Sequence, residues 1–312
     1  MLPKLSMTKK PNNKLESNGV YLSSLGLGIE HFARGVRSLE NLSRDENSKL
    51  IIEEAYKLGI THYDLVFNLP YFFQVFKNFI KDKRKKITFT THLGSFYNEK
   101  ASGHSKTRSL NKIQSTYDGM LESLDVDYAD IALLQFITNK EDYENVLKKG
   151  ILDYALQLKR EGKAKAVGIS AHKPNLLIKM IENGDFDAIM FPLNFATGSL
   201  DSTKKLMEIC KRENIAVIGI KNLLKGKVFS TKRTNYPAYF CGGNRFSIKL
   251  DEPATPADCL NYGFDMGADT VVFGVKTVDE LKNNMRSYNK ESIPRNYLKT
   301  VKYFEEAIQS SQ

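Results

Sequence analysis

The side chains able to do chemistry are scattered along the chain but recur at one kind of place, the end of a short β-rich run. In "THYDLVFNLPYFF" (61–73) one charged residue, Asp64, stands in an apolar and aromatic stretch. A buried carboxylate is costly without a partner, so Asp64 calls for a cation or hydrogen-bond donor facing it. His62, two residues earlier, shares its strand face and reads as an interior side chain bonded to a neighbour. "KITFTTHL" (86–93) presents His92, "DIALLQFI" (130–137) presents Gln135, and "AKAVGIS" (164–170) ends on Ser170 with His172 just beyond. "AIMFPLNF" (188–195) carries Asn194, "AVIGIKNL" (216–223) carries Lys221, and "TVVFGV" (270–275) leads into Lys276. Gathered at one mouth, a carboxylate, imidazoles, amides, a hydroxyl and two ammonium groups would bind a polar small molecule and move a proton near neutral pH.

These runs, with "VYLSSLGLG" (20–28) and "THYDLVF" (61–67), make eight, and each is followed by a helical pattern, the longest over 140–162. Eight β-then-α units with no second compositional region predict a parallel sheet closed into a single (β/α)8 TIM barrel, and function in such a barrel sits at the C-terminal strand ends. The boundaries expected are a flexible basic N-terminal arm over 1–18 and the barrel over 19–312. The first unit is irregular, with only "IEHFARGVRSLENLSRDEN" between strand and helix. The segment 226–253 has two prolines, a Gly-Gly and no periodicity, and is expected as a long loop after the seventh strand. Its aromatics, Phe229, Tyr236, Tyr239 and Phe240, would line an apolar pocket or pack on one another.

Composition narrows the function class. The chain has 312 residues, 41% of them hydrophobic, with no apolar run of the roughly 18 residues a membrane helix needs. No secretory h-region follows the N-terminal lysines. Cys210, Cys241 and Cys259 lie far apart without a C-x-x-C pair, which argues against a disulfide scaffold, a zinc site or an iron–sulfur cluster and fits a reducing cytoplasm. The net charge of +10 comes from dispersed Lys and Arg. The densest cluster, "KDKRKK" (81–86), reads as a solvated helix end, with no zinc-finger spacing or RNP-like strand to support nucleic acid. The expected partner is an anionic small molecule, neither nucleic acid nor membrane.

Several segments resemble the aldo-keto reductases. "GITHYDLVF" is similar to the strand that supplies their aspartate, "LDVDYADIALLQ" to their fourth strand, and "LKREGKAKAVGISAH" to the step into their fifth. "IKNLLKGKV" resembles the Met-Lys-Pro-Leu branch and "GVKTVDELKNN" the cofactor-phosphate motif, in order over residues 20–290. The resemblance implies a hydride from NADP(H) or NAD(H), a tyrosine proton donor tuned by a lysine, an aspartate bonding that lysine, and a histidine orienting the substrate. The aspartate maps to Asp64, but the tyrosine position is Leu69, the lysine position His92 and the histidine position Gln135. Tyr71 lies two residues beyond the tyrosine position and is the alternative acid. Loss of a positioned general acid costs about 10²- to 10⁴-fold, so the acid–base set expected is Asp64 and His92 with Gln135, helped by Lys221 or His172.

For the cofactor, the resemblance implies Ser170 at the nicotinamide, with Ala171 and Met190 where the family has Asn and Gln. It implies Gly274, Lys276 and Thr277 at phosphate, Asn284 at adenine, and Asn194 and Lys221 at neighbouring strand ends. Glu280 stands where Gln or Arg is common and would disfavour an adenosine 2′-phosphate. The sequence ends at "EEAIQSSQ" without the cluster-binding extension of the Met-Lys branch, so no iron–sulfur cluster or other metal is expected. The function expected is a nicotinamide-dependent oxidoreductase. The alternatives are a catalytically degenerate barrel with a binding or regulatory role and a non-redox lyase or isomerase using Asp64 and His92.

Overall fold

The computed structural model describes residues 14–33, 42–98, 105–182, 184–288 and 297–310. Eight parallel strands close a barrel: β1 (Leu25–Gly28), β2 (His62–Leu65), β3 (Thr88–Leu93), β4 (Ala129–Ile137), β5 (Ala164–Ala171), β6 (Ala188–Pro192), β7 (Ala216–Ile220) and β8 (Thr270–Gly274). Sequence neighbours are spatial neighbours, and β1 pairs with both β2 and β8. The expected single (β/α)8 barrel is what forms.

Most expected strands were drawn too long. The run 20–28 yields only β1, because Val20 and Leu22 turn under the barrel and pack with Leu15 against Ile131, Leu133, Met190 and Ile218. Lys14 pairs with Asp269 at 3.2 Å and donates to the Ile215 carbonyl at 2.9 Å. Residues 14–18 therefore belong to the barrel floor rather than to an arm. The remainder of the expected arm, 1–13, lies outside the described residues, as does 34–41 of the irregular first connection. The part of that connection that is described contains a short helix, α1 (Glu30–Ala33).

Inside, His62 fills space that Gly26 leaves free, since a β-carbon on Gly26 would come within 2.8 Å of the His62 ring. Thr88 and Thr90 hydroxyls meet the two ring nitrogens at 3.0 and 3.3 Å, and burial pushes the imidazole down to about 4, so it stays neutral. His62 is the interior filler that the strand pattern predicts.

Outside runs a ring of helices. Of these, α2 (Arg44–Lys57) opens on a Ser43–Glu46 capping box, which satisfies two orphan backbone donors. Next, α3 (Pro70–Ile80) has Pro at its start, where no backbone N–H is needed, and buries Phe72, Phe73, Phe76 and Phe79. After α3 the basic cluster continues as a 3-10 turn, Arg84–Lys86. Its arginine is not solvated: Arg84 donates to Asp130 at 2.9 Å and to the Tyr128 carbonyl at 2.8 Å, pinning the foot of β4.

The segment 226–253 is more ordered than a plain loop. Thr234–Tyr236 pairs antiparallel with Phe246–Ile248, and Tyr236, Phe240 and Phe246 bury against Phe304 of the C-terminal helix Tyr297–Gln309. Phe229 packs on the same cluster, and only Tyr239 is exposed. Tyr236 and Phe240, with Phe229 against them, build a second core. No helix among the described residues is long and apolar enough to cross a membrane.

Candidate active site

Strands β2 and β3 pair with Asp64 opposite Thr90, which puts His92 one interior position higher. The two side chains meet there: His92 Nε2 lies 2.8 Å from Asp64 Oδ1, with His92 3% and Asp64 5% exposed. Asp64 thus has the partner its burial demands. The other ring nitrogen, Nδ1, is buried without a partner.

Two further unpartnered buried atoms lie on the next strands, Gln135 Oε1 on β4 and His172 Nδ1 just past β5. His172 stacks on Phe136 with ring centroids 4.3 Å apart, and burial, aided by the Lys221 ammonium, pushes it down to about 3. It is therefore neutral. The end of β4 is shaped by a bulge between Leu134 and Ile137, with Phe136 at φ +34°. Arg108 holds that bulge, donating to the Gln135 carbonyl at 2.8 Å and to Asp142 at 2.8 and 3.0 Å. Burial alone would raise Asp142, but hydrogen bonds from Arg108, Lys106 and the Thr138 backbone outweigh it and hold the carboxyl well below its usual range. Ser170 is buried on β5 opposite Met190.

Lys221 leaves β7 with φ +57°, a left-handed conformation a long side chain adopts only when its surroundings fix it. Its carbonyl accepts from Leu224 N at 3.1 Å and the Asn194 amide at 3.4 Å. Desolvation lowers the pKa of its ammonium, which lies in electrostatic reach of Glu30, Lys225 and Asp64. Lys221, expected both among cofactor contacts and as a helper of the acid–base set, thus lies in electrostatic reach of Asp64.

On the β8 side, Gly274 is covered by His31 of α1, whose ring would lie 2.7 Å from a β-carbon there. Burial lowers the pKa of His31, with Lys225 and Lys276 acting in the same direction and Glu30 and Glu280 opposing. Glu280 accepts from Lys276 N at 2.7 Å, and Thr277 accepts from Glu280 N at 3.1 Å, a reciprocal cap on the helix Val278–Tyr288. That helix start already holds an anion. Asn284 sits half-buried on the same helix.

Two expected site residues are committed elsewhere. Asn194 accepts from Ala196 N and Thr197 N and donates to the Phe240 carbonyl at 3.0 Å, so it caps Phe195–Gly198 instead of facing a ligand. Tyr71 lies under the Arg44 guanidinium at 3.7 Å and edge-on to Tyr97 at 5.6 Å, which places it in a surface aromatic cluster. Four residues of the mouth escaped the sequence reading: Glu30, His31, Lys225 and Arg108. Glu30 and His31 follow the β1 "LGLG" after only Ile29 and could have been read as a strand end. Arg108 and Lys225 lie in connections with no pattern to mark them. Among the described residues no three His, Cys, Asp or Glu side chains gather to hold a metal ion.

Comparison with known proteins gives this arrangement its context. Residues 24–305 match the model of the Aldo/keto reductase family. An uncharacterized oxidoreductase of Bacillus subtilis, YqkF, is 22% identical over 92% of this chain and 94% of its own length. The L-glyceraldehyde 3-phosphate reductase of Escherichia coli is 26% identical over 53% of this chain and 46% of its own. Among solved structures, aldo-keto reductase AKR11C1 from Bacillus halodurans in its holo form superposes with a TM-score of 0.69 at 19% identity, covering 93% of this chain and 92% of that one. The glycerol dehydrogenase AKR11B4 from Gluconobacter oxydans gives 0.64 at 16% identity, covering 91% and 92%.

Proposed function

This chain belongs to the aldo/keto reductase family, and from that premise we propose that it is a nicotinamide-dependent oxidoreductase acting on a carbonyl or alcohol group, with the Asp64–His92 pair as its proton-handling unit. The observation that carries the reading is the 2.8 Å contact between His92 Nε2 and Asp64 Oδ1 beside an unpartnered His92 Nδ1. Asp64 accepts from Nε2–H, fixing the ring's tautomer and orientation. That leaves Nδ1 to exchange a proton with a substrate oxygen.

Several residues present suit a dinucleotide, although Ala171 and Met190 stand where the family grips the nicotinamide. Lys225 and Lys276 converge on His31, and Lys221 is within reach of Lys225, so this side of the mouth offers cations to a diphosphate. At the other side, Ser170 and the open Gln135 Oε1 suit a carboxamide. The adenosine 2′-phosphate is disfavoured, because the Glu280 carboxylate already occupies the Lys276 N–H and repels a further anion. NAD(H) is therefore the preferred cofactor over NADP(H). When bound, it supplies the hydride; this chain's own residues orient the substrate and hold the proton.

Gln135 Oε1 and His172 Nδ1 would accept from substrate hydroxyls, which suits a small hydroxylated aldehyde, ketone or alcohol. The names of the Escherichia coli and Gluconobacter oxydans relatives point to the same class. The partner is thus a small molecule, and the setting a reducing cytoplasm, in which buried Cys210, Cys241 and Cys259 remain thiols. The test is a titration of the intact protein with NADH and NADPH followed by their own fluorescence, then turnover with small hydroxy-carbonyl compounds. Saturable binding, tighter for NADH, with turnover lost in His92→Gln, is expected. Absence of binding at millimolar cofactor would overturn the reading.

A further inference from the structure

The densest basic cluster of the sequence takes no part in the mouth. It lies at the opposite end of the barrel, where a cavity of about 250 Å³ opens between the Arg84–Lys86 turn and the first residues of β3, β4 and β5. Arg84, Lys85, Lys86 and Lys165 line it against one carboxylate, Asp130, which leaves a net charge of +3. Tyr21, 61% exposed, lines it too.

Two of the four cations are fixed by the fold. Arg84 donates to Asp130 at 2.9 Å and to the Ile87 and Tyr128 carbonyls at 2.8 Å, and its Nε has no acceptor. Lys165 Nζ donates to the Gly19 carbonyl at 3.2 Å and lies 3.5 Å from Asp130. Both cations sit over the Tyr128 ring, at 4.1 and 4.4 Å. Asp130, shared between them and the Phe89 N–H, is already compensated. Lys85 and Lys86 are exposed, and neither has a carboxylate partner among the described residues.

A recess lined by one sign of charge focuses the field and concentrates counter-ions. Backbone carbonyls hold Arg84 and Lys165 in place beforehand, so an arriving anion bears little of their ordering cost. The volume falls just below the roughly 300–1,000 Å³ of pockets for drug-sized ligands, which suits a compact anion. A single phosphate group carries about −1.5 to −2, less than the charge the recess offers. We propose that the cavity at the foot of the barrel, walled by Arg84, Lys85, Lys86 and Lys165, binds a diphosphate group. Inorganic pyrophosphate and ADP both present that group, and Tyr21 offers a ring face to the base of the second. The site is separate from the mouth and does not depend on the reductase reading.

The experiment is calorimetric titration of the full chain with pyrophosphate at neutral pH and low salt. Saturable binding of one pyrophosphate per chain is expected, weakened at least about tenfold when Lys85→Gln and Lys86→Gln are combined. Lys276→Gln, at the mouth, should change it by less than about twofold. Thermal denaturation of the double variant checks that it folds, as two exposed side chains allow. ADP is titrated in the Lys276→Gln background. Tighter binding than pyrophosphate, brought back to the pyrophosphate value by Tyr21→Ala, identifies a nucleotide as the ligand, and equal affinities identify the free diphosphate. No saturable binding at millimolar pyrophosphate, or equal affinity in the parent and the double variant, overturns the proposal. NADH is titrated into the same proteins, so absence of NADH binding fails only the reductase reading, and absence of pyrophosphate binding only this one.

Discussion

Replacing His92 separates the structural and chemical contributions of the buried pair. In His92→Ala the Asp64 carboxylate, 5% exposed, loses the donor 2.8 Å away and keeps Lys221 in electrostatic reach. For a charged pair at that distance, an effective dielectric of about 20 gives a gross attraction of roughly 6 kcal/mol, and desolvation cancels much of it. Breaking a buried pair on one side costs about 3–5 kcal/mol when nothing replaces the partner. Lys221 offsets part of this, so a loss of about 2–3 kcal/mol in urea unfolding is expected. His92→Gln places an amide donor near the same carboxylate and should lose about 1 kcal/mol or less. Both variants lack the imidazole and should lose about 10²- to 10⁴-fold in turnover of a carbonyl substrate. The paired measurement is urea denaturation at pH 7 beside steady-state kinetics with NADH. A glutamine variant that turns over within a few-fold of the parent would refute the proton-handling role. An alanine variant as stable as the parent would refute the claim that Asp64 depends on His92.

Other expectations follow from the same geometry. His62 titrates near 4 in the folded chain against an ordinary 6.5, so the unfolded chain binds its proton first. Stability should fall as pH drops below about 6.5 and level off below about 4, and His62→Gln should flatten that limb in urea titrations. Asp142 behaves oppositely: its depressed carboxyl contributes fully above the unfolded value of about 3.9 and is lost as pH falls through the folded value, so Asp142→Asn should remove an acid limb below about pH 4. Arg108→Met, which frees the Gln135 carbonyl and the β4 bulge and removes the main donor to Asp142, should raise KM for carbonyl substrate and lower Tm. Glu280→Gln should shift the NADPH-to-NADH affinity ratio upward by about tenfold, read by cofactor fluorescence, because it removes the carboxylate at the Lys276 N–H.

The parts of this structure legible in the sequence are those set by local periodicity. Eight β-rich runs between helical segments announce the barrel, and a residue type at a strand end announces the neighbourhood of the mouth. Asp64, His92 and Gln135, still within their strands, keep the alternation of the pleat and point inward as it requires. Alternation stops where the strand stops. Asn194 and Lys221 each lie just past a strand, yet the first bends back to cap a short helix and the second turns inward at φ +57°. Only the backbone after the strand distinguishes them, and residue type carries little of that. Long-range bonds are likewise invisible: Arg108 reaches Asp142 and Gln135 across 34 and 27 residues of chain. The aromatic segment 226–253 misled because its hydrophobic partner, Phe304, arrives only with the last helix.

The altered positions also explain one another. Leu69, where the resemblance places a proton-donating tyrosine, is fully buried at the head of α3, and the helix behind it is committed to packing: Phe72 meets Phe32 at 5.9 Å and Phe76 meets Phe89 at 6.1 Å. A phenol at this turn would have to displace that core. On the reading proposed above the proton comes instead from His92 on β3, a shorter side chain than lysine whose second ring nitrogen is buried. Lys221, just past β7, interacts electrostatically with Asp64, although desolvation lowers the pKa of its ammonium. Aspartate and imidazole come from the neighbouring strands β2 and β3, whereas the lysine lies just past β7, beyond β1 and β8 around the barrel.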